Sequence, residues 1–298
     1  MASSNTSTSN LINPASLGII GYGIVGQAVA YGFSQPEIKD KYVIKYFDKY
    51  KESTPLDEVI KTSEFIFICL PTPMKVDESG IDLSIIEEMM EEITKLTDNT
   101  DKIIVIKSTV VPGTTLKFEK KYPKSNFAFN PEFLREASYL EDFINADRTI
   151  IGASNDLVSR RVVSLYKQRF SKTLVFQTDP TTAEMVKYMA NTYLALKVTF
   201  ANQMFDLCQA LGIKYEEVKS MVAADPRIYD SHLDITTQRG FGGKCFPKDT
   251  IALLGLAREL KVDLSLIGKM WELNKKVRKV HDWEEIPFVV SADLKIKN

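Results

Sequence analysis

Three cysteines and two histidines in 298 residues leave little material for a disulfide framework or a metal cluster. So few thiols, odd in number, read as free cysteine in a reducing compartment. An excess of one charge is also missing. Thirty-eight basic residues face 39 acidic ones, so bulk charge does not attract nucleic acid, and a small anionic ligand must be met by a local site. No apolar run approaches the ~18 residues of a membrane span. The opening "MASSNTSTSN" has no basic and no apolar stretch, which argues against a secretory signal and for a disordered arm over residues 1–16. The expectation is a cytoplasmic globular protein, 44% hydrophobic and 26% charged, long enough for two domains.

Short apolar runs between residues 17 and 179 predict strands at 17–21, 42–47, 64–70, 102–107, 126–130, 148–153 and 173–177. Amphipathic stretches separate most of them, such as 83–96, with apolar residues at 85, 86, 89, 90 and 93. This alternation predicts a Rossmann-like α/β domain over 17–179, a doubly wound and mostly parallel sheet. After Asp179-Pro180 the texture changes. Residues 181–211 hold neither proline nor glycine, Thr181 and Glu184 have capping-box spacing, and Gly212 offers a stop. One helix of roughly 45 Å is expected there, apolar on too many sides to lie alone on a surface and so a candidate subunit interface. Helices at 215–223, 248–260 and 265–280 complete an all-helical domain over 180–282. A tail over 283–298 follows, whose apolar "IPFVV" should pack on something.

The run "GIIGYGIVGQAVA" places Gly21, Gly23 and Gly26 in G-x-G-x-x-G spacing, after a predicted strand and before a helix opened by Ile24 and Val25. The first glycine permits a tight turn, the second admits a pyrophosphate, and the third lets helix and strand pack closely. The helix N-terminus draws the phosphate charge. Asp48 ends the next strand, where a carboxylate binds a ribose 2′-hydroxyl and repels a 2′-phosphate. The implied cofactor is NAD and not NADP.

The cysteines divide. Cys69 and Cys208 lie in apolar contexts and read as small buried hydrophobes. Cys245 follows Gly242-Gly243, is flanked by Lys244 and Lys248, and precedes a helix starting near Pro247. Cations and a helix N-terminus stabilise thiolate, so this one reads as a reactive nucleophile. His232 and His281 are too far apart for a metal site or a histidine-centred relay; His232 reads as incidental and no metal is expected.

The segments "CLPTP" (69–73), "KSTVVPGT" (107–114), "NPEFLRE" (130–136), "KYMANTYLALK" (187–197) and "FGGKCFPKD" (241–249) together resemble the UDP-glucose/GDP-mannose dehydrogenase family. They span the chain from about Leu17 to Arg278, in the family's order. The resemblance implies two successive NAD-dependent oxidations of a nucleotide-sugar C6 alcohol, UDP-glucose first among the substrates, by way of a cysteine thiohemiacetal and thioester. By motif, Cys245 is the nucleophile, and Asp249 helps activate water or accepts a proton. Lys187 and Asn191, at i and i+4, steady the oxyanion. Glu132 is the general base for thioester hydrolysis, and Thr109 helps hold the water. Pro71, Thr72, Thr109 and Glu136 are assigned to the cofactor side. Phe133, Leu134, Phe241 and Gly242 join Glu132, Lys187 and Asn191 on the substrate side. Arg227 matches an arginine that reaches the substrate from a neighbouring subunit, which goes with a homodimer.

Two features depart from the family pattern. "YDSHLDITTQR" after Arg227 keeps little of the usual wording. Members also carry a third, nucleotide-gripping domain, which here would belong beyond the residues given, be naturally missing, or come from a separate chain. Two further readings stand beside this one: a two-domain β-hydroxyacid or 6-phosphogluconate-type dehydrogenase, with a single hydride transfer and no need of a thiol, and a catalytically silent NAD-binding dimer module.

Overall fold

The computed structural model describes residues 14–291. Each predicted strand forms, as β1 (Ala15–Ile20), β2 (Tyr42–Phe47), β3 (Phe65–Ile68), β4 (Ile103–Ile106), β5 (Asn126–Phe129), β6 (Arg148–Gly152) and β7 (Leu174–Thr178). They make one sheet in the order β2-β1-β3-β4-β5-β6-β7, parallel except where β6 meets β5. The two-residue side-chain period sorts the apolar residues onto two faces. Leu17, Ile19, Phe65, Phe67, Ile103 and Val105 share one buried cluster. Ile20, Ile66, Ile68, Ile104, Ile106 and Phe127 share the other.

Helices cover both faces. α1 (Ile24–Phe33) comes first, followed by α2 (Leu56–Thr62), α3 (Ser84–Thr97) and α4 (Thr114–Lys121). α5 (Tyr139–Ile144) and α6 (Asp156–Arg169) complete this half of the chain. Ala28, Val29, Phe33, Phe143, Val158 and Val162 bring α1, α5 and α6 onto the first face. Ile60, Ile86, Met90, Ile93 and Phe118 bring α2, α3 and α4 onto the second.

The long helix α7 runs Pro180–Leu211 and stops at Gly212, whose φ of +71° suits glycine. Its cap differs from the expected Thr181–Glu184 box. Asp179 accepts from Thr182 N, and Glu184 leaves its own helix to cap another. The Glu184 carboxylate takes the Gly113 and Thr115 N–H groups at 2.5 and 2.8 Å and the Thr115 hydroxyl at 2.6 Å, at the start of α4. A buried helix end without partners is more costly than an open one, so the acid is spent where the donors are buried. α8 (Tyr215–Ala223), α9 (Phe246–Leu260) and α10 (Ser265–Val277) follow. α9 begins two residues before the expected 248. α10 ends three before 280, where Arg278 turns to bond the Arg239 carbonyl at 3.0 Å and Asp282 at 2.8 Å.

The expected terminal arm and tail need correction within the described residues. β1 starts at Ala15, so residues 15 and 16 are strand; residues 1–13 and 292–298 lie outside the described residues. The stretch from 283 to 291 is packed. Trp283 and Val289 are buried in the core of the helical half. The backbone of Met74, after β3, accepts from Ser291 N and donates to the Val289 carbonyl, both at 2.8 Å.

Candidate active site

At β1 the chain switches from one side of the sheet to the other, and open α/β sheets receive ligands at the carboxyl ends of strands beside such a point. The loop after β1 is the glycine turn. Gly21 has φ +91°, and a Cβ there would meet the Cys69 carbonyl oxygen at 2.6 Å. A Cβ on Gly26 would meet the Gly21 carbonyl oxygen at 2.1 Å, so α1 approaches the turn only without one. Gly23 is different: it is exposed, and a Cβ there would meet nothing within 4 Å. No protein group requires glycine at 23. The open space lies beside the first turn of α1, at Ile24 and Val25, which has no side-chain cap and no acidic residue. That is a cradle with unspent N–H donors, as a pyrophosphate needs. Asp48 is fixed beside it, accepting from Tyr22 N at 2.8 Å and Tyr50 N at 2.9 Å. These residues fit NAD. Pro71, Thr72 and Thr109 stand at the ends of β3 and β4, where the Thr72 hydroxyl donates to the Thr109 carbonyl at 2.8 Å.

A cavity of about 740 Å³ opens between the loop after β5, one face of α7 and the turn before α9. Glu132, Phe133, Leu134 and Glu136 line it from the first, Lys187 and Asn191 from the second, and Gly242 and Cys245 from the third. Spacing of i and i+4 put the lysine and the amide on one face of α7, and both are buried. Lys187 donates to the Glu132 carbonyl at 2.6 Å and forms an ion pair with its carboxylate at 2.8 Å. Leu134 N donates to the other carboxylate oxygen at 2.8 Å. Burial by itself would raise the Glu132 carboxyl, but Lys187, the Leu134 N–H and Lys107 outweigh it and hold the group below its usual range. Burial would likewise lower Lys187; Glu132, Cys245 and Asp249 reverse that and raise it. Both members are therefore charged, an ammonium and a carboxylate facing one cavity. Two cations lie near the Phe133 ring, Arg148 at 4.4 Å and Lys187 at 5.5 Å from its centre.

Cys245 is the residue just before α9, at the cavity wall. The two lysines that flank it in sequence are paired elsewhere. Lys248 pairs with Asp249 at 2.5 Å, and Lys244 pairs with Glu136 at 3.1 Å. Although the residue is exposed at the cavity rim, desolvation of the sulfur pushes the thiol up to about 11, Glu132 and Asp249 add to the rise, and Lys187 and Lys248 oppose it. Cys69 is pushed up to about 12, chiefly by burial, and Cys208 is buried, in keeping with packing roles.

The remaining expected site residues divide as follows. Asp249 lies beneath the cavity wall, fully buried, its carboxylate taken by Lys248 and by the Asn191 amide at 2.5 Å. Thr109 is at the cofactor crevice and does not line the cavity. Phe241 does not line it either: its ring is in the helical core against Phe246 and Trp271, where the buried Asn274 amide holds both its N–H and its carbonyl. Arg227 is exposed and paired with Asp225 at 2.5 Å, away from the cavity of its own chain. His232, read as incidental, is in the cavity wall, with Nδ1 against the Ser231 hydroxyl and its ring 5.8 Å from Phe246. Lys107, Asn130, Tyr166 and Arg148 also line it and were not singled out from sequence. For Lys107 a signal existed: it directly follows the apolar strand β4, at the ligand-facing end of the sheet. Among the described residues no group of three or more His, Cys, Asp or Glu could hold a metal ion.

Comparison with known proteins agrees with this geometry. Residues 35–170 match the NAD binding domain of the UDP-glucose/GDP-mannose dehydrogenase family, and residues 181–276 match its central domain. A UDP-glucose 6-dehydrogenase of Rickettsia felis is 35% identical over 247 residues, 80% of this chain and 53% of the relative. The chain thus spans about half the length of such curated relatives. A solved UDP-glucose dehydrogenase of Pyrobaculum islandicum superposes with a TM-score of 0.78 at 28% identity, over 88% of this chain and 68% of that one. The 3-hydroxyisobutyrate dehydrogenase of Mycobacterium tuberculosis shares the fold alone, with a TM-score of 0.69 at 11% identity over 96% of this chain and 100% of that one.

Proposed function

Because the chain belongs to the UDP-glucose/GDP-mannose dehydrogenase family, we propose that it oxidises the C6 alcohol of a nucleotide sugar to a carboxylate, through a covalent adduct on Cys245. One observation carries this reading: a thiol, an ammonium, an amide donor and a carboxylate reach one cavity from three separate elements. The names of the relatives make UDP-glucose the first substrate to test. NAD, when bound, supplies a hydride acceptor for each of the two oxidations.

The residues of the chain divide the remaining work. Once the sugar C6 is an aldehyde, the Cys245 sulfur bonds to that carbon, and the thiol proton passes to the Asp249 carboxylate as one of its oxygens gives up Lys248. The carbonyl oxygen gains negative charge, which the Lys187 ammonium and the second Asn191 N–H stabilise. After the second oxidation a thioester links C6 to Cys245. Water attacks it, Glu132 takes the water proton, and the carbon–sulfur bond breaks to release carboxylate and thiol. A thiol near 11 fits this order, since it remains protonated until an electrophile arrives. A single-hydride dehydrogenase needs no such nucleophile in its cavity.

The exposed apolar residues of α7, Met185, Met189, Tyr193, Phe200, Leu207 and Leu211, support a homodimer along this helix. Arg227 is then available to a neighbouring site.

The test is a stoichiometry. With excess NAD and limiting UDP-glucose, two NADH per sugar are expected, falling to no more than one in Cys245→Ser. No NADH from UDP-glucose, GDP-mannose or a UDP-N-acetyl sugar would overturn the reading for this chain by itself.

A further inference from the structure

A second buried lysine faces the same cavity, and nothing in the proposed chemistry uses it. Lys107 follows β4, is 2% exposed, and lines the cavity wall. Its ammonium donates to the Asn130 side-chain oxygen at 2.8 Å and to the Asn130 carbonyl at 3.2 Å. It also lies 5.6 Å from the centre of the Phe143 ring and 6.0 Å from that of Tyr166. Among the described residues no carboxylate oxygen pairs with it, unlike Lys187. A buried ammonium with only neutral partners is destabilising compared with an apolar side chain of the same shape, so its presence calls for a use.

Its position supplies one. Asn130 opens the loop that carries Glu132, and it is anchored on three sides. Its N–H donates to the Ile106 carbonyl at 2.9 Å, its amide donates to the Ile150 carbonyl at 2.8 Å, and its oxygen accepts from Tyr166. Lys107 holds this anchor from the sheet side, while Lys187 holds the Glu132 carbonyl from α7. We propose that Lys107 is a positioning residue for the reaction, whose ammonium, through Asn130 at the start of the loop, keeps Glu132 in place against Lys187 and the Leu134 N–H. This rests on the reading of the cavity as the dehydrogenase site. Burial pushes Lys107 down to about 8, with Cys69 after β3 and Glu132 pulling it up and Lys187 on α7 pushing it down; the Tyr166 hydroxyl on α6 also faces it. Lys107 is therefore mostly charged at neutral pH and loses its charge within a testable range.

Glutamate labelled with carbon-13 at Cδ reports the Glu132 charge directly, and the resonance missing from Glu132→Gln assigns it. In Lys107→Met, and in Lys107→Gln, which keeps a donor toward Asn130, the Glu132 midpoint should rise by at least one pH unit, a tenfold gain in proton affinity. Lys107→Arg should leave it near the wild-type value. Where turnover is measurable, the acid limb of the kcat profile should move with that midpoint while KM for NAD stays unchanged. An unchanged midpoint in either neutral variant would overturn the proposal. The wild type alone gives a second test: the Glu132 resonance should shift again near pH 8, as Lys107 deprotonates, and a flat trace there would equally overturn it. These readings do not need turnover, so an inactive wild type would count against the dehydrogenase reading and leave the Lys107 result standing.

Discussion

The glycine turn and the cysteine cavity are built on opposite principles. The turn is made of backbone and of missing atoms: protein crowds two of its glycines, and the third faces open space. The cavity is centred on charges taken out of water, Lys187 on α7 and Glu132 on the loop after β5, each held by the other. A site of the first kind tolerates neighbours of any chemistry as long as they stay small. One of the second kind tolerates no loss of a single partner, because the survivor is left buried and charged.

Removing one partner from the cavity should therefore have the largest effect. Lys187→Met takes the ion-pair partner from the buried Glu132 carboxylate, and a loss of about 3–5 kcal/mol in urea unfolding is expected. Turnover should fall by roughly a hundredfold or more, as for loss of an oxyanion donor. A stable, active variant would break the contrast at once. The glycine turn sharpens it next. Gly26→Ala forces α1 off the turn and should cost about 1–3 kcal/mol, with NAD affinity lost as well. Gly23→Ala should unfold like the wild type and still bind NAD poorly by titration calorimetry. Equal destabilisation by the two would show that the space at Gly23 is not reserved for a ligand. Glu184→Ala strips α4 of its cap and should lower stability by about 1–2 kcal/mol in thermal unfolding, with little change in NAD affinity. The smallest effect leaves the fold untouched. Alkylation of Cys245 by iodoacetamide should accelerate with pH toward a midpoint of about 11, and Glu132→Gln should lower that midpoint by removing a negative charge that raises it. A wild-type midpoint near 7 would restore the lysine-activated thiolate that the ion pairs argue against.

The same contrast explains what could be read from the sequence. All seven strands were legible because an apolar run between breakers needs no knowledge of its partners. So was the shared face of Lys187 and Asn191, fixed by helix geometry within a single element. The turn declared itself because its chemistry lies within six residues, from Gly21 to Gly26. The partners of the charged groups were not legible. Glu184 has capping-box spacing with Thr181, yet its oxygens go to Thr115, 69 residues away in the chain. Lys244 and Lys248 sit beside Cys245 in sequence, but their charges are directed to Glu136 and Asp249. Phe241 belongs to the motif and turns away from the cavity, and His232 lies outside any motif and forms part of its wall. Sequence neighbourhood shows which groups are near each other; it does not show which of them satisfy each other.

The tie between Glu184 and the start of α4 pins the long helix close to Lys187. Lys187 sits less than one turn from that tie, while the helix continues for about 36 Å beyond it. A tilt of about 5° would carry the far end by about 3 Å yet displace Lys187 by only a few tenths of an ångström. The ammonium beside Glu132 thus sits where the helix has least room to move, and the exposed apolar stretch reaches out to Leu211 at its other end.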